Sequence, residues 1–257
     1  GPRYCHQVLL SVLMTPTTPI EHESATTSGS PPCPVLEFRD VELPPLSRRY
    51  DAMRQVNLTL GEGECAVVLA PPAQEGLPLA DAALGLIEPG AGEVRFLGED
   101  WVRLGVREPL ARRALVGRIF DRAAWINNLN VLDNVLLPRR HHTTLSEEQL
   151  LADATRWARR FGLQTLPAER PSSVADDQLK LAEWVRAFSL EPVLLLLEHP
   201  MRGVARERRE ALHWAVAEAR TRGAAVLWIA SDASLRAELA GPGVSHYTVL
   251  NQTLVAE

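Results

Sequence analysis

Residues 65–86, Cys65-Ala-Val-Val-Leu-Ala-Pro-Pro-Ala-Gln-Glu-Gly-Leu-Pro-Leu-Ala-Asp-Ala-Ala-Leu-Gly-Leu86, contain an apolar run, a loop and a helix-like segment in direct succession. The apolar run is typical of a short buried strand. A strand, loop and helix in this order form the setting of the motif G-x-x-x-x-G-K-[ST], in which backbone N–H groups and a lysine hold phosphates. Here Gly76 stands at the lysine position, Leu77 stands at the position of the magnesium-binding hydroxyl, and Glu75 adds a carboxylate. The stretch therefore predicts the architecture of a phosphate loop without its phosphate-binding side chains.

Size, charge and cysteine usage restrict the class of protein. With 257 residues, of which 46% are hydrophobic, the chain is long enough for one large domain or two lobes. A formal net charge of −5 and a pI near 5.9 argue against nucleic acid as a partner. The three cysteines have no metal or redox spacing, which indicates a reducing, cytoplasmic setting. No run reaches the roughly 18 apolar residues that a membrane span requires.

Residues 1–34 are predicted to be a disordered tail. Residues 15–34 are rich in Thr, Ser and Pro, a composition that does not support a packed core. The apolar segment 8–14 is short and follows a single arginine, which makes it a poor signal peptide. Order is predicted to begin at Val35.

From Val35 onward, hydrophobic periodicity predicts an alternation of strands and helices. The predicted strands are Val35–Val41, Val56–Leu60, Cys65–Leu69, Gly92–Leu97, Val193–Leu197, Ala225–Ile229 and a closing hairpin of Val244–Leu250 with Thr253–Ala256. The predicted helices cover 79–86, 146–161 with a capping box at Ser146-Glu-Glu-Gln149, 177–189 and 206–222. The continuous apolar run in Val193–Leu197 indicates a strand buried on both faces of a parallel sheet.

Three segments carry a resemblance to a known family. They are Glu88-Pro-Gly-Ala-Gly-Glu-Val94, Asn130-Val-Leu-Asp-Asn-Val135 and Arg186-Ala-Phe-Ser-Leu-Glu-Pro-Val-Leu-Leu-Leu-Leu197. In content and order they resemble the ATPase domain of ATP-binding cassette (ABC) transporters, and the resemblance runs from Val35 to Glu257. Within that family, residues 130–145, which include Leu137-Pro-Arg-Arg-His-His, look most similar to the ATPases of Mla-type phospholipid transporters.

The resemblance implies an α/β fold of the P-loop NTPase type. The ABC ATPase fold combines a parallel core sheet flanked by helices, a small antiparallel β subdomain and a helical subdomain. On this basis residues 35–257 are predicted to form one ABC-ATPase-like domain, with the helical subdomain at about residues 121–190.

The resemblance also shows which residues stand at the positions that contact the nucleotide in ABC ATPases, and several of them differ from the family's usual residue types. Asp121, after Phe120, stands where the family has glutamine, and the signature loop reads Val174-Ala-Asp-Asp-Gln178, with Asp176 and Asp177 in place of two glycines. The Walker B strand ends in Glu198 and His199 instead of Asp and Glu. Ala205 replaces an expected aspartate, and Ser231 replaces the switch histidine.

These departures predict the loss of nucleotide chemistry. Phosphoryl transfer requires positive charge, Mg²⁺ and backbone donors around the γ-phosphate, whereas the carboxylates of Glu75, Asp121, Asp176 and Asp177 oppose a polyphosphate. We therefore expect a pseudo-ATPase with no catalytic residues, no ATP or Mg²⁺ binding and no metal site. His141-His142 has no third ligand at a recognisable spacing, which favours a solvated loop pair over a metal site.

The preserved framework predicts a scaffolding or regulatory role in a membrane transport assembly, with lipids as the candidate cargo. The expected partners are a membrane permease subunit and a second ABC-type subunit in a homodimer or heterodimer, with the chain on the inner face of the membrane. The candidate residues for a partner groove are Trp125, Ile126, Leu129 and Val131, although Trp125 equally fits plain packing. Two alternatives remain: a soluble interaction module without a transporter, and an active ATPase with atypical motifs.

Overall fold

A computed structural model describes residues 33–45, 52–70, 76–105, 108–122 and 124–257 of the chain. Residues 1–32 of the predicted tail lie outside this range, as does Glu75 of the loop. No helix among the described residues has the length and apolar character needed to cross a bilayer.

The strands of the described residues form two sheets. Their bounds are β1 Leu36–Leu43, β2 Met53–Leu60, β3 Cys65–Leu69, β4 Ala91–Phe96, β5 Glu99–Asp100, β6 Val116–Ile119, β7 Leu194–Glu198, β8 Ala225–Ala230, β9 Val244–Leu250 and β10 Thr253–Ala256. The smaller sheet has the order β2-β1-β4-β5 and is antiparallel. The larger sheet has the order β10-β9-β3-β8-β7-β6, in which every pair except the β9–β10 hairpin is parallel.

The helices occupy mainly the middle and the last third of the chain. Their bounds are α1 Leu79–Ala83, α2 Glu108–Arg113, α3 Val131–His142, α4 Glu147–Arg160, α5 Asp176–Phe188, α6 Arg209–Thr221 and α7 Leu235–Glu238. Short 3₁₀ turns cover Trp101–Arg103, Pro171–Ser173 and Arg206–Arg208.

The larger sheet separates two hydrophobic cores, because alternate residues of a strand point to opposite faces. In β3, Val67 lies in the core shared with α3, α4, α5 and α6, whereas Val68 lies in the core shared with the antiparallel sheet and α1. Trp157, Trp184 and Phe161 form an aromatic group in the first core. Phe161 contacts Trp157 and Trp184 with centroid separations of 5.5 and 5.3 Å.

The structure confirms most of the predicted strands and helices and adds β5, β6, α2, α3 and α7, which were not predicted. The strand β3 and the closing hairpin have their predicted bounds, and α4 begins with the predicted capping box of Ser146 and Gln149. The strand β6 was not predicted, because it is only four residues long and contains Gly117 and Arg118. The helix α3 was also missed; it contains Pro138 and ends in His141-His142, so the prediction of a loop for these histidines is wrong.

Candidate functional site

Four parallel strands end at one edge of the larger sheet. Leu69 of β3 is paired with Ala230 of β8, Glu198 of β7 with Ile229 of β8, and Ile119 of β6 with Leu197 of β7. The residues that follow these strands are therefore neighbours in space. This carboxyl edge is where open α/β sheets bind their ligands.

A buried arginine connects two carboxylates at this edge. Arg118 of β6 places Nη1 2.6 Å from Oδ1 of Asp81 in α1, and its Nε and Nη2 lie 2.8 and 2.7 Å from Oε2 of Glu198. The guanidinium also stacks on the Phe120 ring, 4.4 Å from its centroid. Both contacts to Glu198 use the same oxygen, Oε2, which leaves Oε1 outside the ion pair.

The three charged groups respond differently to burial. Burial raises the pKa of Glu198 to about 7, although the attraction of Arg118 opposes this shift. Burial also disfavours the charged form of Arg118, but Glu198 and Asp81 outweigh it and raise the arginine's pKa. Arg118 thus stays charged, whereas Glu198 titrates near neutral pH.

A second charged pair lies beside the first. Arg202 donates from Nη1 to Oδ1 of Asp121 at 2.5 Å, and Nε2 of His199 lies 3.9 Å from the same oxygen. His199 has a φ of 45°, and its backbone N–H donates to Ile229 O of β8. Burial lowers the pKa of His199, and the nearby Arg202 adds to this shift. The imidazole is consequently neutral at physiological pH.

A third group fixes the segment between β6 and α3. The buried carboxylate of Glu183 in α5 accepts from the backbone N–H of Phe120 at 3.0 Å and from Lys180 Nζ at 2.9 Å. Arg186 lies 3.4 Å from the same carboxylate, donates to Ala124 O and stacks on the Trp125 ring at 4.8 Å. Through these contacts α5 holds both ends of residues 120–125.

The structure brings only some of the predicted site residues together. Asp121, Glu198 and His199 form one cluster at the carboxyl edge. Three predicted residues are exposed: Ser231, directly after β8, and Asp176 and Asp177, at the start of α5. No hydrogen bond or ion pair of the described residues links them to this cluster. Gly76 is half-buried and Leu77 is buried in the core beside the antiparallel sheet.

Sequence reasoning missed the cations of this cluster. Arg118, Lys180 and Arg202 belong to no motif and are separated from their main partners by up to 81 residues, as in the pair of Arg202 with Asp121. One signal was present in the sequence, namely an arginine flanked by Val116, Gly117 and Ile119 in a strand that is otherwise apolar. A charged side chain that shares a buried strand requires a partner.

The candidate partner residues lie next to α3. Ile126 is 44% exposed and Trp125 and Leu129 are half-buried, but Val131 is fully buried in the core. The buried side chain of Asn134 holds this segment, because its Oδ1 accepts from Ile126 N at 2.8 Å and its Nδ2 donates to Ile126 O at 3.1 Å.

The fold is that of an ABC ATPase domain of the P-loop NTPase type, as the solved structures that match the chain show. An ATP-binding subunit of an ABC transporter superposes with a TM-score of 0.73 at 18% identity, covering 87% of this chain and 89% of that chain. The dimeric ATP-binding cassette MJ0796, in a post-hydrolysis state bound to ADP and Pi, superposes with a TM-score of 0.72 at 20% identity, covering 86% of this chain and 97% of that chain. The predicted fold class is confirmed.

Sequence relatives of the chain are named as ATP-binding proteins of particular transport systems. The intermembrane phospholipid transport system ATP-binding protein MlaF of Haemophilus influenzae is 28% identical over 148 residues, which cover 58% of this chain and 56% of that protein. The probable ribonucleotide transport ATP-binding protein mkl of Mycobacterium bovis is 26% identical over 167 residues, covering 64% and 46%. The match thus spans about half the length of these relatives. No protein-family model matches the chain. The resemblance to ABC transporter ATP-binding proteins, including Mla-type ATPases, is confirmed.

These findings correct three predictions. The chain was expected to be a catalytically degenerate pseudo-ATPase, to be no enzyme, and to bind neither ATP nor Mg²⁺. Its relatives are named as ATP-binding proteins of transporters, and the MJ0796 cassette is bound to ADP and Pi. All three predictions are wrong.

The physical reason lies in the charges at the edge. The prediction treated Asp121 as a free negative charge that repels a polyphosphate, but Arg202 neutralises it, and Arg118 likewise neutralises Glu198. In addition, loops of this type hold phosphates largely through backbone N–H groups, which the non-proline residues of this loop, Gly76 and Leu77 among them, also carry. The absence of individual motif side chains therefore does not by itself exclude binding of a nucleotide.

Proposed function

We propose that this chain is the nucleotide-binding subunit of an ABC-type transport assembly and that it binds and hydrolyses ATP at the carboxyl edge of its larger sheet. The observation that carries the proposal is the cassette architecture across the described residues, combined with relatives that are named as ATP-binding proteins of transporters. A phospholipid is the proposed cargo class, because MlaF belongs by name to a phospholipid transport system.

The edge cluster supplies groups that suit Mg-ATP. Mg²⁺ is commonly held by one or two carboxylates together with substrate phosphates, so Oε1 of Glu198, which the pair with Arg118 does not use, fits such a site. When bound, Mg²⁺ offsets the negative charge of the phosphates. His199 lies at the position of the family's catalytic carboxylate, and its neutral imidazole is able to accept a proton from water.

We also propose that the segment around Trp125, Ile126 and Leu129 contacts a membrane-embedded permease subunit. An exposed isoleucine beside a half-buried tryptophan offers apolar area at the end of the helical layer. Such a contact places the chain on the inner face of the membrane. We further infer a second ABC-type subunit in a dimer, and a helical subdomain at residues 121–190 within a domain of residues 35–257.

Calorimetric titration with Mg-ATP, combined with a phosphate-release assay, tests the proposal. The wild-type chain is expected to bind Mg-ATP and to release phosphate, and Glu198→Gln is expected to lower the hydrolysis rate by about tenfold or more. The matched control is Glu210→Gln, which removes an exposed carboxylate in the first turn of α6. A wild-type chain that gives neither heat nor phosphate at millimolar Mg-ATP overturns the proposal.

A further inference from the structure

We propose that Arg202 is the phosphate-binding cation of this site, held by Asp121 in the free protein and transferred to the phosphates when nucleotide binds. The inference rests on the proposed function and deepens it. It identifies a positively charged side chain that replaces the lysine missing at Gly76, from a different part of the chain.

The backbone around Arg202 is fixed on both sides. The turn begins where His199 N donates to Ile229 O at 2.8 Å, and Arg202 N donates back to His199 O at 3.0 Å. Trp184 in α5 donates from its indole nitrogen to Pro200 O at 2.9 Å, and Val204 is buried at the far end. A rigid backbone of this kind positions a side chain precisely enough for ligand recognition.

The side chain of Arg202, in contrast, is accessible. It is 54% exposed, whereas the side chains of Arg118, Lys180 and Arg186 are 8%, 14% and 12% exposed. Breaking a buried ion pair leaves an uncompensated charge in a poorly solvated place, whereas Arg202 stays in water when it leaves Asp121, whose own side chain is 16% exposed. Of these four cations, Arg202 is therefore the one suited to turn toward a ligand.

The chemistry favours the transfer. A guanidinium matches the oxygens of a phosphate in a bidentate arrangement, and a polyphosphate offers more negative charge than the single carboxylate of Asp121. The exchange involves no covalent step. Arg202 is also close to the groups of the proposed Mg-ATP site, because His199, adjacent to Glu198, lies 3.9 Å from the Asp121 oxygen that Arg202 binds.

The test compares two variants with opposite expected effects. Arg202→Ala removes the cation and leaves Asp121 unpaired, so it is expected to weaken binding of Mg-ATP by about 10- to 100-fold. Asp121→Asn frees Arg202 and removes a negative charge, so it is expected to tighten binding by about three- to tenfold. Arg206→Ala, which removes an exposed arginine four positions later, is the matched control and is expected to leave affinity unchanged.

Calorimetry with Mg-ATP and with inorganic tripolyphosphate measures these affinities, and thermal unfolding verifies that each variant is folded. The same order of variants with both ligands supports recognition of the phosphates by Arg202. If the wild type binds Mg-ATP and the two variants change affinity equally or in the same direction, Arg202 only closes a structural ion pair and the inference fails while the proposed function stands. If the wild type binds no Mg-ATP, both are overturned.

Discussion

At the scale of single residues, Glu198 is the group whose charge changes near neutral pH. Its pKa is raised from 4.5 to about 7, chiefly by burial, so between these values the folded chain binds a proton that the unfolded chain has released. Stability from this group is therefore complete below pH 4.5 and is lost as pH rises through 7. Other carboxylates act in the opposite direction; the pKa of Glu257, for example, is lowered to about 2 by hydrogen bonds from Arg236 and Thr248.

Comparison with Glu198→Gln isolates the contribution of this one group. The free energy of unfolding of the wild type is expected to fall relative to that of the variant by about 3 kcal/mol as pH increases from 4.5 to 8, because the glutamine does not ionise. Urea titrations of both proteins across this range measure the difference. Glu210→Gln, at an exposed position, serves as the control, and a pH-independent difference for Glu198→Gln contradicts the prediction.

The residue scale is also where sequence reasoning was least complete. Motif positions such as Glu198 and His199 were found, because a strand followed by fixed residue types is visible locally. Their partners were not, since Arg118 is 80 residues away from Glu198 in the chain and reaches it only through the pairing of β6 with β7. The wrong prediction that the chain binds no nucleotide arose because these partners were not visible. The sequence shows where the carboxylates are, but it does not show which of them form ion pairs.

At the scale of elements, the contact of β6 with α5 depends on a glycine. A Cβ atom built on Gly117 would lie 2.3 Å from the backbone oxygen of Ala187 and 3.0 Å from Leu195 Cδ2. Backbone atoms of a packed helix cannot move aside at low cost. Gly117 therefore sets the distance between this strand and this helix.

Gly117→Ala is expected to destabilise the fold by about 2–4 kcal/mol, because α5 would be displaced from the sheet. Gly105→Ala is the matched control, since no atom of the described residues, apart from its chain neighbours, lies within 4 Å of its constructed Cβ. Chemical denaturation of both variants gives the comparison. Equal stability of the two variants would show that the helix adjusts freely.

The capping box at the start of α4 provides a second test at this scale. The hydroxyl of Ser146 accepts from Gln149 N, and the Gln149 side chain accepts from Ser146 N. Ser146→Ala is expected to cost about 1 kcal/mol in the free energy of unfolding, whereas Ser146→Asp, which keeps an acceptor, is expected to cost much less. A loss of the same size in both variants, measured by urea denaturation, contradicts a capping role.

Elements with a clear local signal were predicted well. The strand β3 and the hairpin of β9 and β10 are bounded by turns, and α4 has both a cap and a regular apolar face. In α3, Pro138 and four basic residues in the last turn obscure the helical pattern. The start of this helix is capped by Asn130, whose side-chain oxygen accepts a hydrogen bond from Asp133 N. The helix forms because its apolar side chains, Val131 and Val135 among them, pack in the core, which no local pattern reports.

At the scale of the whole molecule, the two cores give the chain distinct sides. The helices α3, α4 and α5 pack on one another and form a layer that carries the proposed partner surface. The antiparallel sheet and α1 cover the opposite face. The partner surface can therefore be altered without disturbing the antiparallel sheet.

Ile126→Asp is expected to abolish co-purification with the proposed permease subunit, because a carboxylate at an exposed apolar contact must be desolvated on docking. Leu151→Asp, on α4, is the control, since this leucine is also apolar and is 36% exposed compared with 44% for Ile126. The measurement is affinity purification of the tagged chain from detergent-solubilised membranes that contain the proposed permease. Retention of the permease by Ile126→Asp contradicts the proposed surface.

The buried carboxylate of Glu183 has a consequence for how a mechanical load would travel through the molecule. Starting from Trp125, an unbroken series of contacts passes to Arg186, to Glu183, to the backbone of Phe120, and so to Asp121, which holds Arg202. A displacement applied at the proposed partner surface would reach the carboxyl edge of the larger sheet through Glu183, and also through the direct contact of Arg186 with the Phe120 ring, 5.5 Å from its centroid. Glu183 therefore helps to connect the two proposed surfaces, although it belongs to neither of them.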